Sequence, residues 1–246
     1  MKYYVYILFF VFISCNNEDV GDCWQKEGDM VTEEIQLNTF EEITIHEGIS
    51  LVIKTGTAQK VMLETGKNLL PEISFKIIEN RLIIRNHNTC NFVRPYGITK
   101  VYITSPNITS IRNASEQNVL SDGELTFPNL YLQSSGEKTK YLAVGDFNLK
   151  VNNENLRIWG NGISNFNIEG TTNNLDVLFS DGDTRFNGEK LIANTVKVKN
   201  VSSNDILVYP INSLTGSIHS TGNVVAFNQP PIVEVEELGI GKLIFK

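Results

Sequence analysis

The sequence predicts an all-β protein, a right-handed parallel β-helix (β-solenoid) preceded by a strand-rich N-terminal region. Three observations favour this fold. Short runs of alternating apolar and polar residues recur along most of the chain. In the C-terminal half, polar corners separate these runs about every 20 residues. The 246 residues also include 28 Asn, and Asn tolerates the left-handed backbone of tight turns.

The N-terminal β region is predicted over residues 31–105. Apolar and polar residues alternate in Ile43–Ile45 and again in Ile73–Ile77, as in strands with one buried face. Glu79-Asn80 then separates the second run from Arg81–Arg85, whose three central residues are apolar, and this arrangement predicts a β-hairpin. The region shows no convincing helical period.

Residues 106–246 are predicted to form the coils of the β-helix. Each repeat has a short strand, a polar corner and a second short strand, with corners at positions 162, 182, 202 and 222. One such coil cannot bury its apolar side alone, so consecutive coils must stack. An antiparallel sandwich with regular turns is the alternative. A C-terminal cap is expected from the alternating residues Val233, Val235, Leu238, Leu243 and Ile244.

The first residues predict export and lipidation. Tyr3–Ile13 is an apolar run of 11 residues after a basic start, which is short for a membrane span and typical of a signal peptide. It ends in Ser14-Cys15, and a small residue before Cys at this place resembles a lipoprotein signal box. We therefore expect a signal peptide over residues 1–14, a lipid on Cys15 and a tether over 15–30. An ordinary secretory signal with an incidental Cys15 is the alternative.

The expected cellular location and the net charge of the chain limit the kinds of partner that it can bind. Acidic residues such as Glu18 and Asp19 follow Cys15 and resemble surface-export signals of some Gram-negative lipoproteins. We expect a lipid anchor in the outer membrane, with display on the cell surface favoured over the periplasmic face. The net charge of −7 makes nucleic acid a poor candidate partner.

Once Cys15 carries a lipid, Cys23 and Cys90 are the two cysteines left to pair. The oxidising compartment of an exported protein permits that disulfide, and two free thiols are the alternative. The sequence has no Cys-x-x-Cys motif, so it gives no support for redox catalysis or a zinc knuckle.

Several segments resemble a family of Gram-negative lipoproteins known as head GIN domain proteins, or auto-transporter adhesins. The resemblance covers roughly residues 38–246 and implies a β-helical fold and a role in adhesion, with no catalytic residues to carry over. Its motifs are Phe40–Ile43, Gly48–Ile53, Glu64–Pro71, Arg81–Asn86, Thr89–Tyr96, Gly216–Ile218, Thr221–Val224 and Gly239–Leu243.

Aromatic residues give candidate ligand contacts. Trp159 and Tyr131 lie in or near predicted coil strands, and Tyr96 lies in the segment after Cys90; outward rings at these places can stack on sugars. The alternative is that these rings fill the core or cover the first coil. Asp181 and Asp183 lie on one face of an extended chain and are weak candidates for a calcium site, but Asp-Gly is also ordinary turn chemistry.

Together these features predict a non-enzymatic binding or adhesion module of the cell envelope, without a cofactor. Its expected partners are the membrane, through the lipid, and a glycan, a host protein or another envelope protein. The alternative is a carbohydrate-active β-helix enzyme, a polysaccharide lyase or a hydrolase. The sequence has neither a Gly-x-Ser-x-Gly elbow nor a Gly-Lys-Ser/Thr phosphate loop.

Overall fold

The computed structural model describes residues 23–88, 90–135 and 143–246. These residues form seventeen strands in one mixed sheet, with a short 3-10 helix at Leu70–Glu72, which confirms the all-β class. Among them, no helix has the length and apolar character needed to cross a membrane.

The strands follow one another in chain order with bounds as follows: β1 Met30–Glu34, β2 Glu42–His46, β3 Ile49–Thr55, β4 Lys60–Gly66, β5 Ile73–Ile78, β6 Arg81–Asn86, β7 Thr99–Ser105, β8 Ser110–Ala114, β9 Val119–Leu125, β10 Asn129–Ser134, β11 Phe147–Gly160, β12 Asn165–Phe179, β13 Arg185–Asn200, β14 Ile206–Ile218, β15 Val224–Ala226, β16 Ile232–Glu237 and β17 Leu243–Phe245.

The strands of the C-terminal half pair in parallel and in a regular register. Leu156 pairs with Leu175, Leu175 with Val196, and Val196 with Leu214, so the same apolar position recurs in each strand. These four residues are buried, because alternate side chains of a strand point to one face. The register agrees with the repeat of about 20 residues read from the sequence.

The structure differs from the sequence prediction in the length of these strands. The second strand of one repeat runs into the first strand of the next, which makes β11 to β14 between 13 and 16 residues long. A local irregularity replaces the expected break: the register of β12 with β13 shifts between Asn167 and Glu169. Gly170 follows directly, with a φ of 113° that side chains rarely adopt.

Parallel pairing also extends into the N-terminal region. β2 lies between β6 and β8, and β3 lies between β7 and β9, all in parallel. Three further pairs are antiparallel: β4 pairs with β7, β1 pairs with β4, and β5 pairs with β6. Glu79 and Asn80 join β5 to β6 with positive φ angles of 48° and 68°, as a tight type I′ hairpin requires, so the predicted hairpin is present.

The core lies on the inward side of these strands and consists mainly of aliphatic and aromatic side chains, with some buried Ser, Thr and Asn. Phe147 stacks on Phe166 with ring centroids 4.6 Å apart, and Phe166 lies 6.2 Å from Phe179. All three rings are fully buried, and burial of each stabilises the fold by about 1.5–3 kcal/mol.

The C-terminal segment forms further strands. β16 pairs in parallel with β14, and β17 with β15. Val235 and Leu243 pack against the core, whereas Val233, Leu238 and Ile244 are exposed. The alternating residues that we expected to act as a cap therefore extend the stack and cover only part of it.

Cys23 and Cys90 form a disulfide with a Cα–Cα distance of 4.4 Å. The backbone N–H of Phe92 donates to the carbonyl of Cys23 at 3.0 Å, and the Trp24 ring meets the Phe92 ring edge-on at 5.6 Å. The start of the described chain is thereby fixed to the segment between β6 and β7. The signal peptide and Cys15 lie outside the described residues.

Candidate functional site

Three candidate side chains share the outer face of β10 and β11. Leu132 and Ile158 point into the core, so their neighbours Tyr131, Arg157 and Trp159 point outward. Tyr131 pairs with Arg157 across the two strands, and Trp159 follows two positions further along β11. The strand geometry therefore places Tyr131 and Trp159 about 8 Å apart at their Cα atoms.

Tyr131 has a defined set of neighbours. The Arg157 guanidinium lies over the Tyr131 ring, 5.1 Å from its centroid, in a cation–π contact that contributes about 0.5–1 kcal/mol at an exposed site. Nε of Arg157 also lies 3.6 Å from the Asp176 carboxylate on β12. Burial of the ring raises the pKa of Tyr131, the Arg157 charge partly offsets this and Asp176 adds to it. The phenol is therefore neutral and able to donate a hydrogen bond at neutral pH.

A ladder of polar side chains runs beside this row, two positions earlier on each strand. Asn155 donates to Asn129 at 2.7 Å, Asn174 donates to Asn155 at 2.8 Å, and Thr195 donates to Asn174 at 2.7 Å. The ladder fixes the orientation of each amide on an exposed surface. Amides both donate and accept, so such a row can hydrogen-bond the hydroxyl groups of a ligand.

Tyr131 and the asparagines of the ladder line a cavity of about 280 Å³, and Trp159 lies outside its walls. Its walls include Tyr131, Arg157, Asp176, Asn155 and Asn174. A flat aromatic ring beside fixed hydrogen-bonding groups is a suitable surface for a sugar, because the ring covers the apolar face of the pyranose while polar groups contact its hydroxyls.

Sequence reasoning proposed Tyr131 and Trp159 as candidates and did not propose the polar residues around them. Asn155 and Asn174 each precede a repeated core leucine, Leu156 and Leu175, and this shared position was a signal for the ladder. Arg157 and Asp176 follow the same leucines and form the next row. Aligning the repeats by their outward positions as well as their corners would have identified all four residues.

Tyr96 does not join this face. It lies in the segment between β6 and β7, is 79% exposed and donates from its hydroxyl to the Asn91 carbonyl at 3.4 Å. It lines a separate cleft of about 600 Å³ with charged groups of both signs, among them Arg94 and Glu116.

The charged residues of this cleft also stabilise its walls. Arg94 is buried and donates to the carbonyls of Cys90 at 2.8 Å and Gln25 at 3.3 Å. Both carboxylate oxygens of Glu116 accept the Gly48 N–H at 3.2 Å. These contacts join neighbouring corners and give the cleft a structural role.

Asp181 and Asp183 lie at a corner between β12 and β13. The Asp181 carboxylate accepts the N–H of Gly182 at 2.8 Å, and the Ser203 hydroxyl donates to Asp183. Gly182 has a φ of 78°, the left-handed conformation of a tight turn. Within the ranges that the structure describes, no group of three or more His, Cys, Asp or Glu side chains is arranged to hold a metal ion.

The fold is shared with solved structures from two bacterial species. One from Bacteroides fragilis, named a "putative adhesin", has a TM-score of 0.79 and 18% identity, over 90% of this chain and 99% of that one. A "putative adhesin" from Parabacteroides distasonis has a TM-score of 0.66 and 14% identity over 90% and 99%. A "putative lipid binding protein" from the same species has a TM-score of 0.64 and 15% identity over 89% and 97%. At these identities the likeness shows the fold alone.

Sequence comparison gives the family. No curated protein matches the chain. One family model does, and it covers residues 39–230, from before β2 to after β15. The chain therefore belongs to the family described as "Putative auto-transporter adhesin, head GIN domain".

Proposed function

We propose that this protein is a lipid-anchored adhesin of the cell envelope that binds a glycan on the outer face of β10 to β13. The observation that carries the proposal is the common surface of Tyr131, Arg157 and Trp159, beside a hydrogen-bonded ladder of Asn side chains. Binding there needs no catalytic group, and the neighbouring carboxylate of Asp176 is paired with Arg157.

The proposed scaffold is a right-handed parallel β-helix. Parallel pairing from β11 to β14 at nearly constant register supports stacked coils, and parallel crossovers are almost always right-handed. We assign residues 1–14 to the signal peptide, 15–30 to the tether, 31–105 to the N-terminal β region and 106–246 to the coils. A stacked scaffold suits adhesion, because each coil adds one row of outward side chains to a continuous surface.

The proposed anchor is a lipid on Cys15, on the outer leaflet of the outer membrane. The disulfide between Cys23 and Cys90 supports export, since such bonds persist in oxidising compartments. Cys15→Ala should abolish lipoprotein processing and release the protein from membranes washed with carbonate. A Cys15→Ala protein that remains in the washed membrane fraction would contradict the anchor.

The glycan site is tested on the purified lipoprotein in detergent micelles. A glycan array identifies ligands, and titrations then compare Tyr131→Ala and Trp159→Ala with the parent protein. We expect each substitution to weaken binding about tenfold, equivalent to about 1.4 kcal/mol, because it removes one stacking ring.

Tyr209→Ala is the matched control. Tyr209 is a half-buried tyrosine on β14 that pairs with Ile192, away from Tyr131 and Trp159. The Tyr209→Ala substitution should leave the affinity for the glycan unchanged. Equal affinity in the Tyr131 and Trp159 variants would contradict this site. Release of shortened chains from a bound polysaccharide would favour the alternative, a carbohydrate-active enzyme.

A further inference from the structure

An aromatic patch lies at the start of the described chain. It consists of Trp24, Phe92, Val93 and Tyr96, whose exposed fractions are 61%, 71%, 42% and 79%. All four side chains are uncharged, and three are aromatic. Their exposure requires an explanation, because large apolar groups that share one surface commonly mark an interaction site.

The patch is built from two segments that are distant in sequence. The Cys23–Cys90 disulfide joins them, the Phe92 N–H donates to the Cys23 carbonyl, and the Trp24 and Phe92 rings are in contact. The buried Arg94 donates to carbonyls of both segments, at Cys90 and Gln25. The rings are therefore held outward by fixed backbone, and ordering them costs little on binding.

The position of the patch relative to the anchor identifies its occupant. Only seven residues separate Cys15 from Cys23. Even fully extended, that tether spans about 29 Å, so a lipid on Cys15 keeps Trp24 close to the bilayer. The patch also belongs to the connection between β6 and β7, and seven strands lie between β6 and β16 along the chain of parallel pairs.

We propose that the aromatic patch inserts into the boundary between headgroups and acyl chains of the membrane that holds the lipid anchor. The inference rests on the proposed lipidation of Cys15. Trp and Tyr favour this boundary, since their rings are apolar while the indole N–H and the phenol remain hydrated. The tether makes the contact intramolecular, so a weak intrinsic affinity is sufficient. The chain is acidic, and apolar contact supplies the attraction.

The contact would orient the protein on the membrane. The stack passes from β6 through β2, β8 and β10 to β11, which is four strand spacings or about 19 Å. With the patch at the bilayer, Trp159 and the glycan-binding face lie above the headgroups and are open to solvent. The lipid and the patch together then fix the height and tilt of the binding face.

The two tryptophans of the chain, Trp24 and Trp159, provide the test. Lipidated full-length protein is reconstituted into phosphatidylcholine vesicles whose acyl chains carry bromine near the headgroup, a contact quencher of indole fluorescence. Trp159→Phe leaves Trp24 as the reporter, and Trp24→Phe leaves Trp159. We expect Trp24 emission to fall by about half and Trp159 emission to be unchanged, because interfacial side chains reach about 5–10 Å into that boundary.

A second variant tests the patch itself. Phe92→Ser with Tyr96→Ser, in the Trp159→Phe background, should reduce the quenching of Trp24 while the protein still floats with the vesicles. Flotation without quenching of Trp24 overturns the membrane contact and leaves the anchor intact. Failure of the lipidated protein to float contradicts the anchor, and the membrane contact with it. Trp24 emission that is blue-shifted but unquenched indicates a protein partner or a second copy on the patch, which also overturns the proposal.

Discussion

Asn113 and Asn200 make the same set of hydrogen bonds at two distant places in the sheet. Each is fully buried, and each side chain accepts the N–H of a serine two residues later, at 2.9 Å from Ser115 and 3.0 Å from Ser202. Both amides also donate to the carbonyl four residues later and to a second carbonyl further along the chain, that of Gly145 or Asn223. A side chain thus replaces the backbone pairing that a corner interrupts.

Replacing Asn200 with Ala should destabilise the protein by about 2–4 kcal/mol. The change leaves the Ser202 N–H and the carbonyls of Asn204 and Asn223 without their buried partner. Urea unfolding followed by circular dichroism measures the loss. Asn212→Ala is the control, because Asn212 is exposed, and it should cost less than about 0.5 kcal/mol. Equal stability in the two variants would refute the structural role of Asn200.

The corners also explain how much of the fold could be predicted from the sequence. A buried corner needs Asn, Ser or Gly at fixed places, and an inward strand position needs an aliphatic residue, so both recur at regular spacing. That spacing predicted the strands and corners around Leu156, Leu175 and Val196. It could not predict that strands run through the bends, because a bend inside a strand needs only a local bulge and one permissive residue.

Gly170 is one such permissive residue, and substitution there should be severe. A Cβ would lie 2.0 Å from the carbonyl oxygen of Val151, the residue with which Gly170 pairs in β11, at a φ of 113°. Gly170→Ala must push two backbones apart, and we expect a loss of about 3 kcal/mol or more. Thermal unfolding should show a marked fall in Tm.

Gly123→Ala is the matched comparison for backbone strain alone. Gly123 also has a positive φ, of 85°, but a Cβ there would meet no atom within 4 Å. It should cost only about 1 kcal/mol, the penalty for a side chain in the left-handed region. If both substitutions lower the free energy of unfolding equally, the close approach of β11 to β12 is not the reason that position 170 requires glycine.

The Cys23–Cys90 bond should stabilise the protein by about 2–4 kcal/mol, because it closes a long loop in the unfolded chain, with a sequence separation of 67. The double substitution Cys23→Ser and Cys90→Ser should lower the denaturant midpoint by a matching amount. The parent protein under reducing conditions should behave in the same way. A midpoint that neither treatment changes would show that the segments are held by other contacts, such as those of Arg94.

The site was harder to predict than the fold for a physical reason. Core positions repeat because each sequence repeat faces the same apolar interior, whereas outward positions vary in chemistry from repeat to repeat. The row through Tyr131 reads Tyr131, Arg157, Asp176 and Lys197, with no residue type repeated. Such a row becomes visible only when the register is known. The disulfide was predictable by counting cysteines, but the packing of Trp24 on Phe92 needed coordinates.

Glu237 should make the last strand sensitive to acid. Its carboxylate accepts the Leu243 N–H at 2.9 Å and the Lys242 ammonium at 2.9 Å, and so connects the end of β16 to the start of β17. The backbone hydrogen bond from Leu243 and then Lys242 hold the pKa of Glu237 below its ordinary value of 4.5. Because the folded pKa is the lower one, the stabilisation is complete above pH 4.5 and is lost as the pH falls through the folded value.

Hydrogen exchange measures this effect directly at the amides of Leu243 and Lys246, with rates corrected for intrinsic exchange. Protection should fall below about pH 4.5 in the parent protein, while amides in β12 and β13 keep theirs. Glu237→Gln should remove the pH dependence, since the amide oxygen still accepts a hydrogen bond but does not titrate in this range. Glu236→Gln removes a neighbouring charge and should leave the acid transition in place. Protection of β17 that is constant through this range in the parent protein would contradict the link between Glu237 and Leu243.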